Sequence, residues 1–297
     1  MMWRLSLMLA PVVHRTLEID GMQVFYRESG PPDAPVLLLP HGYPSSSFQY
    51  RNLMPALGDN WRLIAPDFPG FGYTEVPDSV DFSYTFEGYA NFLERFTERL
   101  GLDRFALYLF DYGSQAGLQL ATRHHDRIAA LIIQNGDAYE ETLGPNYEPL
   151  KELWADPSEE RKAQLAAEAL TLEGLRAEVL GEVPEHIADR ISPDLWLLSW
   201  PVMQKNREIM VGLAADIRHS VERYGEYQAY LREHRPPTLI VWGPHDGYMH
   251  EEAARAYLKD LPDAELHLLP DAGHWALETH LDEAVTLIRE FLGRVHK

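Results

Sequence analysis

The sequence contains no cysteine among its 297 residues. This absence excludes disulfide bonds, cysteine ligands for a metal and a cysteine nucleophile, and it is compatible with a reducing compartment. The sequence also lacks any apolar run of about 18 residues, the length that a membrane-spanning helix requires. Apolar residues nevertheless make up 45% of the chain, which is ordinary for a globular protein with a large core.

Basic residues are scarce compared with acidic ones. The chain has 26 Lys and Arg against 46 Asp and Glu, which gives a formal net charge of −20. Such a charge repels phosphate backbones and anionic lipids, so nucleic acid and membrane surfaces are not expected partners. It also disfavours small anionic substrates.

The amino terminus carries a weak resemblance to a secretory signal. Residues 1–13, MMWRLSLMLAPVV, include one Arg and a short apolar stretch but no clear small-x-small cleavage site. We therefore interpret this segment as leading into an edge strand, and we predict a cytoplasmic protein.

Short apolar runs alternate with helical stretches along most of the chain. A hairpin is predicted around the Asp20-Gly21 turn. Buried strands are predicted at 36–40, 61–66, 104–110, 128–134, 237–242 and 264–270. Helices are predicted at about 47–58, 85–100, 114–124, 250–259 and 281–294. Strands that alternate with helices predict an α/β fold with a twisted, mostly parallel sheet flanked by helices.

The alternation stops over about one hundred residues. Residues 137–235 have helical periodicity and no comparable strand, and Pro157-Ser158 suits a helix start. We predict an α/β core formed by residues 1–136 and 236–297, with 137–235 as an inserted helical domain.

The first segment that carries a candidate catalytic residue is LYLFDYGSQAG, residues 107–117. Asp111 stands where a buried strand turns sharply into a helix, the position that a nucleophile takes in a strand–elbow–helix motif. An aspartate at a helix start is also a common helix cap, so this residue alone does not decide the function. Ser114 lies one turn later, inside the helix, and is a poor nucleophile candidate.

The second segment is LLLPHGYP, residues 37–44. The backbone N–H groups of Tyr43 and of Tyr112, next to Asp111, are candidates for an oxyanion hole. A simple turn formed by Gly42 and Pro44 is the alternative interpretation.

The third and fourth segments supply a base and its partner. His274 lies in the loop HLLPDAGHW after the last predicted strand, and Asp246 follows the preceding strand in VWGPHDGYM. A carboxylate beside an imidazole holds its tautomer and stabilises its charged form. The other histidines show no convincing metal-ligand spacing, so we predict no metal site.

Taken together, HGYP, APDFPGFGYT (65–74), FDYGSQAG, WGPHD and AGHWALE resemble the α/β-hydrolase superfamily. The nucleophile–acid–histidine order of Asp111, Asp246 and His274 is the order found in that superfamily. The aspartate at the elbow resembles the branch that contains epoxide hydrolases and haloalkane dehalogenases. The resemblance implies that the helical insertion is a cap domain over the active site.

An aspartate nucleophile implies a particular reaction. Carboxylates are normally ionised at neutral pH, so an Asp attacks a saturated carbon without a base and forms an alkyl-enzyme ester. His274 would then activate a water that hydrolyses this ester. The expected substrate is small, neutral and largely apolar, with water as the second reactant and no cofactor.

The leaving group separates two substrate classes. In epoxide hydrolases the resemblance implies tyrosine donors from the cap, whereas in haloalkane dehalogenases it implies N–H donors, usually a Trp after the nucleophile and a Trp or Asn elsewhere. Here those two positions hold Tyr112 and Tyr43, which counts against a haloalkane dehalogenase. The cap tyrosine that commonly precedes an Arg in epoxide hydrolases is replaced in turn, since residues 216–218 read Asp-Ile-Arg. We favour epoxides, with dehalogenation as the alternative. The candidate leaving-group contacts are His41, Trp154, Trp196, Trp200, Tyr139, Tyr224 and Tyr227.

Two further alternatives stay open at this point. Some relatives of this branch are cofactor-free oxygenases or luciferases, and a hydrolase fold can also serve as a non-catalytic binding protein. The sequence contains no positive sign of either function, and it does not indicate the oligomeric state.

Overall fold

A computed structural model describes residues 9–295 of the chain. Eight strands form a single sheet in the order β1-β2-β4-β3-β5-β6-β7-β8. The strands are β1 (Val12–Ile19), β2 (Met22–Ser29), β3 (Val36–Leu38), β4 (Arg62–Pro66), β5 (Phe105–Leu109), β6 (Ile128–Ile133), β7 (Thr238–Trp242) and β8 (Glu265–Leu268). The strands from β4 to β8 run parallel to one another, and β1 and β2 are antiparallel at one edge. This is the predicted fold class.

The apolar runs form strands because both faces of the sheet are covered. Every residue of β5, β6 and β7 is buried, as expected for parallel strands with helices on each face. The β1–β2 hairpin turns at Asp20 and Gly21, both with positive φ, so that Ile19 pairs with Met22. The structure confirms the hairpin and the six predicted strands to within about two residues at each end.

Thirteen α-helices lie within residues 9–295. They are α1 (Leu53–Leu57), α2 (Phe86–Arg99), α3 (Asp111–Arg123), α4 (Glu148–Ala155), α5 (Glu159–Ala169), α6 (Leu172–Leu180), α7 (Glu185–Ala188), α8 (Asp194–Lys205), α9 (Arg207–Glu222), α10 (Tyr224–His234), α11 (Glu251–Ala256), α12 (Ala276–Thr279) and α13 (Leu281–Val295). Short 3₁₀ turns precede α1, follow α3 and α11, and lie between β6 and α4.

Two helix predictions require correction. The helix predicted at 47–58 is divided into a 3₁₀ turn, Ser47–Tyr50, and α1, because Pro55 has no N–H to bond the carbonyl of Arg51. The helix predicted to start at 114 starts at Asp111, and its first turn is closed by a bond from Ser114 N–H to the carbonyl of Phe110.

Helices α4 to α10 follow one another between β6 and β7 without an intervening strand. We call residues 137–235 the helical insertion. Its helices contact the core through pairs such as α2–α9 and α3–α10. The division of the chain into domains at 137 and 235 stays a prediction.

The prediction made for residues 1–13 falls largely on residues 1–8, which lie outside the described part of the chain. Within residues 9–295, no helix combines the length and the apolar character needed to cross a membrane.

Candidate active site

Asp111 occupies a strained bend between β5 and α3. Its φ is +47°, a left-handed conformation that a residue with a side chain adopts only when its surroundings enforce it. Its backbone N–H donates to the carbonyl of Asn135, 3.1 Å away, at the end of the neighbouring strand. The bend therefore presents the Asp111 side chain beyond the carboxyl end of the sheet.

Two glycines leave room for this carboxyl group. A Cβ at Gly42 would lie 2.6 Å from Asp111 Oδ1. A Cβ at Gly113 would overlap the carbonyl oxygen of Pro40, in the segment that follows β3. Both positions thus need glycine because the loop after β3 and the start of α3 approach each other closely at Asp111.

The Asp111 carboxyl group already contacts one of the two candidate oxyanion donors. The backbone N–H of Tyr43 donates to Asp111 Oδ1 at 2.5 Å. Tyr112 is the second residue of α3, and N–H groups in the first turn of a helix have no partner within the helix. The rings of Tyr43 and Tyr112 also pack together, with centroids 5.5 Å apart.

The loops after β7 and β8 bring a histidine and a second carboxylate to the same place. His274 Nδ1 lies 2.7 Å from Asp246 Oδ2, and His274 Nε2 lies 3.5 Å from Asp111 Oδ2. His274 and Asp246 are buried, whereas Asp111 retains partial exposure. The imidazole is therefore held between two carboxyl groups, with Nε2 directed at Asp111.

This arrangement shifts the pKa values of the pair. Burial alone would lower the pKa of His274, but the carboxylates of Asp246 and Asp111 outweigh it and hold that pKa well above its ordinary value. Burial works to raise the pKa of Asp246, but His274 and the hydrogen bonds to its carboxylate keep it below the ordinary value. The site therefore favours an imidazolium beside an ionised Asp246.

Asn135 fixes the orientation of Asp246. Its side-chain Nδ2 donates to Asp246 Oδ2 at 2.8 Å and to the carbonyl of Gly243, and its Oδ1 accepts from Gly243 N–H. Asp246 Oδ1 accepts the backbone N–H groups of Tyr248 and Met249. Asn135 is fully buried and has a φ of +42°, a conformation that asparagine tolerates better than most residues.

We expect an Asn135→Ala variant to be less stable than the unchanged protein by about 1–3 kcal/mol, because it leaves the buried Gly243 N–H and carbonyl without their side-chain partner and removes one of the hydrogen bonds to Asp246 Oδ2. Urea unfolding followed by circular dichroism measures this difference. Asn60→Ala, at an exposed position, serves as the matched control and should change stability by less than about 0.5 kcal/mol. Equal stability of the two variants would contradict the structural role assigned to Asn135.

A cavity of about 100 Å³ opens next to Asp111. The core contributes Tyr43, Tyr112 and Gln115 to its wall, and the helical insertion contributes most of the apolar side chains. Those apolar residues are Leu150, Leu165, Ala169, Leu170, Met210, Val211, Ala214 and Ile217. The cavity is smaller than the roughly 150 Å³ that accommodates benzene in an engineered site, so it suits a compact, apolar molecule.

A buried carboxyl group, Asp137, lies in the cavity wall with both oxygens engaged. Its Oδ1 accepts from Gln115 Nε2 at 2.7 Å, and its Oδ2 accepts from the Tyr147 hydroxyl at 2.6 Å. Tyr224 lies at the same cluster, with its hydroxyl 3.5 Å from Gln115 Nε2. Burial raises the pKa of Asp137.

A second carboxyl group, Glu178 of α6, also lines the cavity. Its Oε2 accepts a hydrogen bond from the Tyr248 hydroxyl at 3.0 Å. Burial raises the pKa of Glu178 to about 7, and the nearby Asp111 adds to this rise while His274 opposes it. Neutral pH therefore leaves this group partly protonated.

None of the seven predicted leaving-group contacts is among the described residues that line this cavity. His41 is buried; its Nε2 accepts from Phe68 N–H and its Nδ1 lies 3.0 Å from the carbonyl of Gly42, so neither nitrogen is left for a substrate. Burial lowers the pKa of His41 to about 3, which keeps the ring neutral. We conclude that His41 supports the turn after β3.

The tryptophans predicted as donors belong to helices of the helical insertion. Trp154 Nε1 donates to the carbonyl of Ala214 at 3.1 Å, and Trp196 and Trp200 are partly buried against the core. Among residues 9–295, the side chains that line the cavity beside Asp111 include no tryptophan.

The predicted tyrosines are divided between two locations. Tyr139 donates to Asp260 Oδ2 at 2.7 Å and is absent from the cavity wall. Tyr224 and Tyr227 share a face of α10, with ring centroids 6.0 Å apart, and only Tyr224 contacts the Asp137 cluster.

Several residues of the site were not among the predicted contacts. Asn135 and Asp137 follow β6, and Tyr248 lies two residues after Asp246, so the rule that ligands bind at the carboxyl ends of strands could have indicated all three. Glu178 lies on a helix rich in other charged residues, and nothing in its sequence surroundings distinguishes it.

Comparison with known proteins identifies the family of the chain. Residues 35–281 match the sequence profile of the alpha/beta hydrolase fold family. The chain is 33% identical to an uncharacterized hydrolase of Saccharomyces cerevisiae over 93% of its own length and 97% of that protein. It is 27% identical to a cis-3-alkyl-4-alkyloxetan-2-one decarboxylase of Shewanella oneidensis over 96% and 89% of the two chains.

Among solved structures, the chain resembles the haloalkane dehalogenase DbeA of Bradyrhizobium elkani. The TM-score is 0.76 at 21% identity, and the match covers 96% of this chain and 99% of that one. At this level of identity the likeness concerns the fold. With the profile match spanning most of the sequence, the chain belongs to the α/β-hydrolase fold family and is a hydrolase of that family.

Proposed function

We propose that this protein hydrolyses small, neutral epoxides through an alkyl-enzyme ester on Asp111. The observation that carries the proposal is the position of the Asp111 carboxyl group, with Oδ1 on the N–H of Tyr43 at 2.5 Å and Oδ2 at 3.5 Å from His274 Nε2. This carboxyl group adjoins an apolar cavity. A carboxylate held in this way can attack a saturated carbon that carries a leaving group.

In the first step, an oxygen of Asp111 bonds to an epoxide carbon and the ring C–O bond breaks. The protonated His274 stabilises the carboxylate before the attack, because the pKa of this histidine lies well above its ordinary value. The apolar wall of the cavity keeps the substrate next to the nucleophile and excludes bulk water.

In the second step, water attacks the carboxyl carbon of the ester. Once Asp111 has become a neutral ester, one of the two negative charges that raise the pKa of His274 is gone, so the imidazolium can lose its proton to solvent and the neutral imidazole can act as a base. His274 regains a proton from solvent when Asp111 is a carboxylate again. Asp246, held by Asn135, supports the resulting imidazolium. The N–H groups of Tyr43 and Tyr112 would stabilise the oxyanion on the Asp111 carboxyl.

The polar groups of the cavity favour an oxygen leaving group. Tyr147, Tyr248 and Glu178 bring O–H groups or an ionisable carboxyl to the wall, and such groups can protonate an alkoxide. A relative, the oxetan-2-one decarboxylase, acts on a strained oxygen heterocycle by its name, which supports the same class of reactive C–O bond. The carboxyl groups of Asp137 and Glu178 disfavour anionic substrates.

Dehalogenation is the second candidate, supported by the fold shared with haloalkane dehalogenases. Halide release calls for N–H donors, and Tyr112 and Tyr43 lack side-chain N–H groups. The absence of tryptophan from the described cavity wall also counts against it.

We assign the helical insertion as a cap domain that supplies the apolar wall.

We expect the purified protein to convert 1,2-epoxybutane to the diol and to release little or no bromide from 1-bromobutane. Gas chromatography of the diol and ion chromatography of bromide measure the two reactions side by side. Styrene oxide tests whether the cavity accepts an aromatic substituent. Bromide release without diol formation would favour the dehalogenase alternative, and turnover of none of the three compounds would contradict the proposal.

A further inference from the structure

Glu178 is the carboxyl group of the helical insertion that shares a cavity with the nucleophile. It lies near the end of α6 and lines the same cavity wall as Asp111. Within residues 9–295, its hydrogen bonding involves Oε2 alone, which accepts from the Tyr248 hydroxyl. The other oxygen, Oε1, accepts no hydrogen bond from these residues, and Glu178 lines both this cavity and a neighbouring one bordered by Asp246 and His274.

Tyr248 connects Glu178 to the catalytic candidates. Its hydroxyl donates to Glu178 Oε2 at 3.0 Å, while its backbone N–H donates to Asp246 Oδ1 at 2.9 Å. Tyr248 also lines the cavity. Tyr248 thus fixes the position of the Glu178 carboxyl group relative to Asp246 and His274.

The groups that face Glu178 determine its protonation. They come from several elements: Asp111 from α3, His274 and Asp246 from the loops after β8 and β7, and the phenols of Tyr43, Tyr112 and Tyr248. Burial raises the pKa of Glu178 to about 7, His274 lowers it, and Asp111 and Asp246 raise it. The protonated form is therefore present below pH 7 and lost above it.

Other candidate donors in the cavity are less suited to this task. Both oxygens of Asp137 already accept hydrogen bonds from Gln115 and Tyr147. Burial and the nearby Asp137 raise the pKa of Tyr147 well above its ordinary value, and the charge of Glu178 together with burial does the same to the pKa of Tyr248, so these phenols are weak acids. A donor whose pKa lies near neutrality transfers a proton more efficiently.

We propose that Glu178, held by Tyr248, is the catalytic acid that protonates the epoxide oxygen as Asp111 attacks the ring carbon. The inference rests on the proposed function. As the Asp111–carbon bond forms and the ring C–O bond breaks, the proton of Glu178 moves to the ring oxygen and gives the first hydroxyl of the diol.

The proton returns during hydrolysis of the ester. Water supplies the oxygen that remains on Asp111 and two protons. One proton passes through His274 to the departing oxygen and gives the second hydroxyl of the diol; the other leaves the Asp111 carboxyl and restores protonated Glu178. The Tyr248 hydroxyl stabilises the Glu178 carboxylate between these two events.

The test is single-turnover consumption of 1,2-epoxybutane with enzyme in excess, between pH 5.5 and 9. In the unchanged protein the rate should fall as pH rises through about 7. Glu178→Gln should lower the rate at pH 6 by about 10²-fold and remove this pH dependence, because the amide has no proton to transfer. Glu173→Gln, on the exposed face of the same helix, should behave as the unchanged protein.

Tyr248→Phe provides a second measurement that does not depend on the Glu178 variant folding well. Loss of the hydrogen bond that lowers the pKa of Glu178 should move the fall in rate to higher pH. A Glu178→Gln protein that consumes the epoxide at the unchanged rate with the same pH profile would overturn this inference alone, as would an unshifted profile in Tyr248→Phe. If the unchanged protein consumes no epoxide, the proposed function fails and the inference fails with it.

Discussion

An Asp111→Asn variant is expected to form no covalent adduct with 1,2-epoxybutane and to lose diol formation by about 10⁴-fold or more, a loss comparable to removal of a nucleophile in other enzymes. The amide oxygen of asparagine is neutral and a far weaker nucleophile than a carboxylate. The substitution changes little else, since asparagine also tolerates the positive φ at this position. Its side-chain oxygen can still accept the N–H of Tyr43.

Gas chromatography of the diol and intact-mass spectrometry measure the two losses. Asp126→Asn, in the exposed 3₁₀ turn after α3, is the matched control and should retain full activity. Freshly purified Asp111→Asn protein with more than about a tenth of the unchanged activity would mean that another group attacks the substrate.

Ser114 is not that other group. Its Oγ donates to the backbone carbonyl of Asp111 at 2.6 Å, and its side chain is completely buried. It therefore closes the first turn of α3 and does not reach the cavity wall. The competing interpretation of Asp111 as a mere helix cap also meets a difficulty, because Asp111 is the first residue of the helix and its carboxyl group contacts Tyr43 in a different loop.

The core of the fold and three of its polar residues could be predicted from the sequence because each signal was local. Buried parallel strands are continuous apolar runs, and loops after such strands converge at one edge of the sheet. Asp111, Asp246 and His274 each follow a strand, and the structure places the imidazole of His274 within 3.5 Å of a carboxyl oxygen of each aspartate. Tertiary contacts were not needed to locate them.

The wall of the cavity could not be predicted in the same way. Helices of the insertion carry aromatic and charged residues on several faces, and periodicity does not say which face meets the core. The tryptophans at 154, 196 and 200 were therefore selected by residue type and pack elsewhere. In the sequence nothing distinguishes Glu178 from an exposed glutamate. Only the position of α6 in the structure shows that Glu178 lines the same cavity as Asp111.

His41 illustrates a different limit. Like the other site residues, it follows a strand of the sheet. Its ring, however, contacts two backbone groups, one from a residue far along the chain and one from the adjacent residue, and the sequence shows neither contact. Phe68 N–H and the carbonyl of Gly42 occupy both ring nitrogens. A strand-end position therefore identifies residues near the site, and hydrogen-bond partners decide which of them can meet a substrate.

A His274→Gln variant is expected to stop at the ester. Attack by Asp111 does not require a base, so the variant should still react once with 1,2-epoxybutane. Hydrolysis requires removal of a proton from water, so steady-state diol formation should fall by about 10³-fold or more. The two steps therefore separate in this variant, which they cannot do if one residue serves both.

Intact-mass spectrometry after mixing with epoxide should show the protein increased by the mass of one substrate molecule, and peptide mapping should place the increase on the peptide that contains Asp111. His219→Gln, at an exposed position on α9, should turn over normally and accumulate no adduct. A His274→Gln protein that hydrolyses epoxide at the unchanged rate would remove His274 from the mechanism. Absence of any adduct, with diol formation also lost, would instead mean that the imidazolium of His274 is needed for the attack by Asp111.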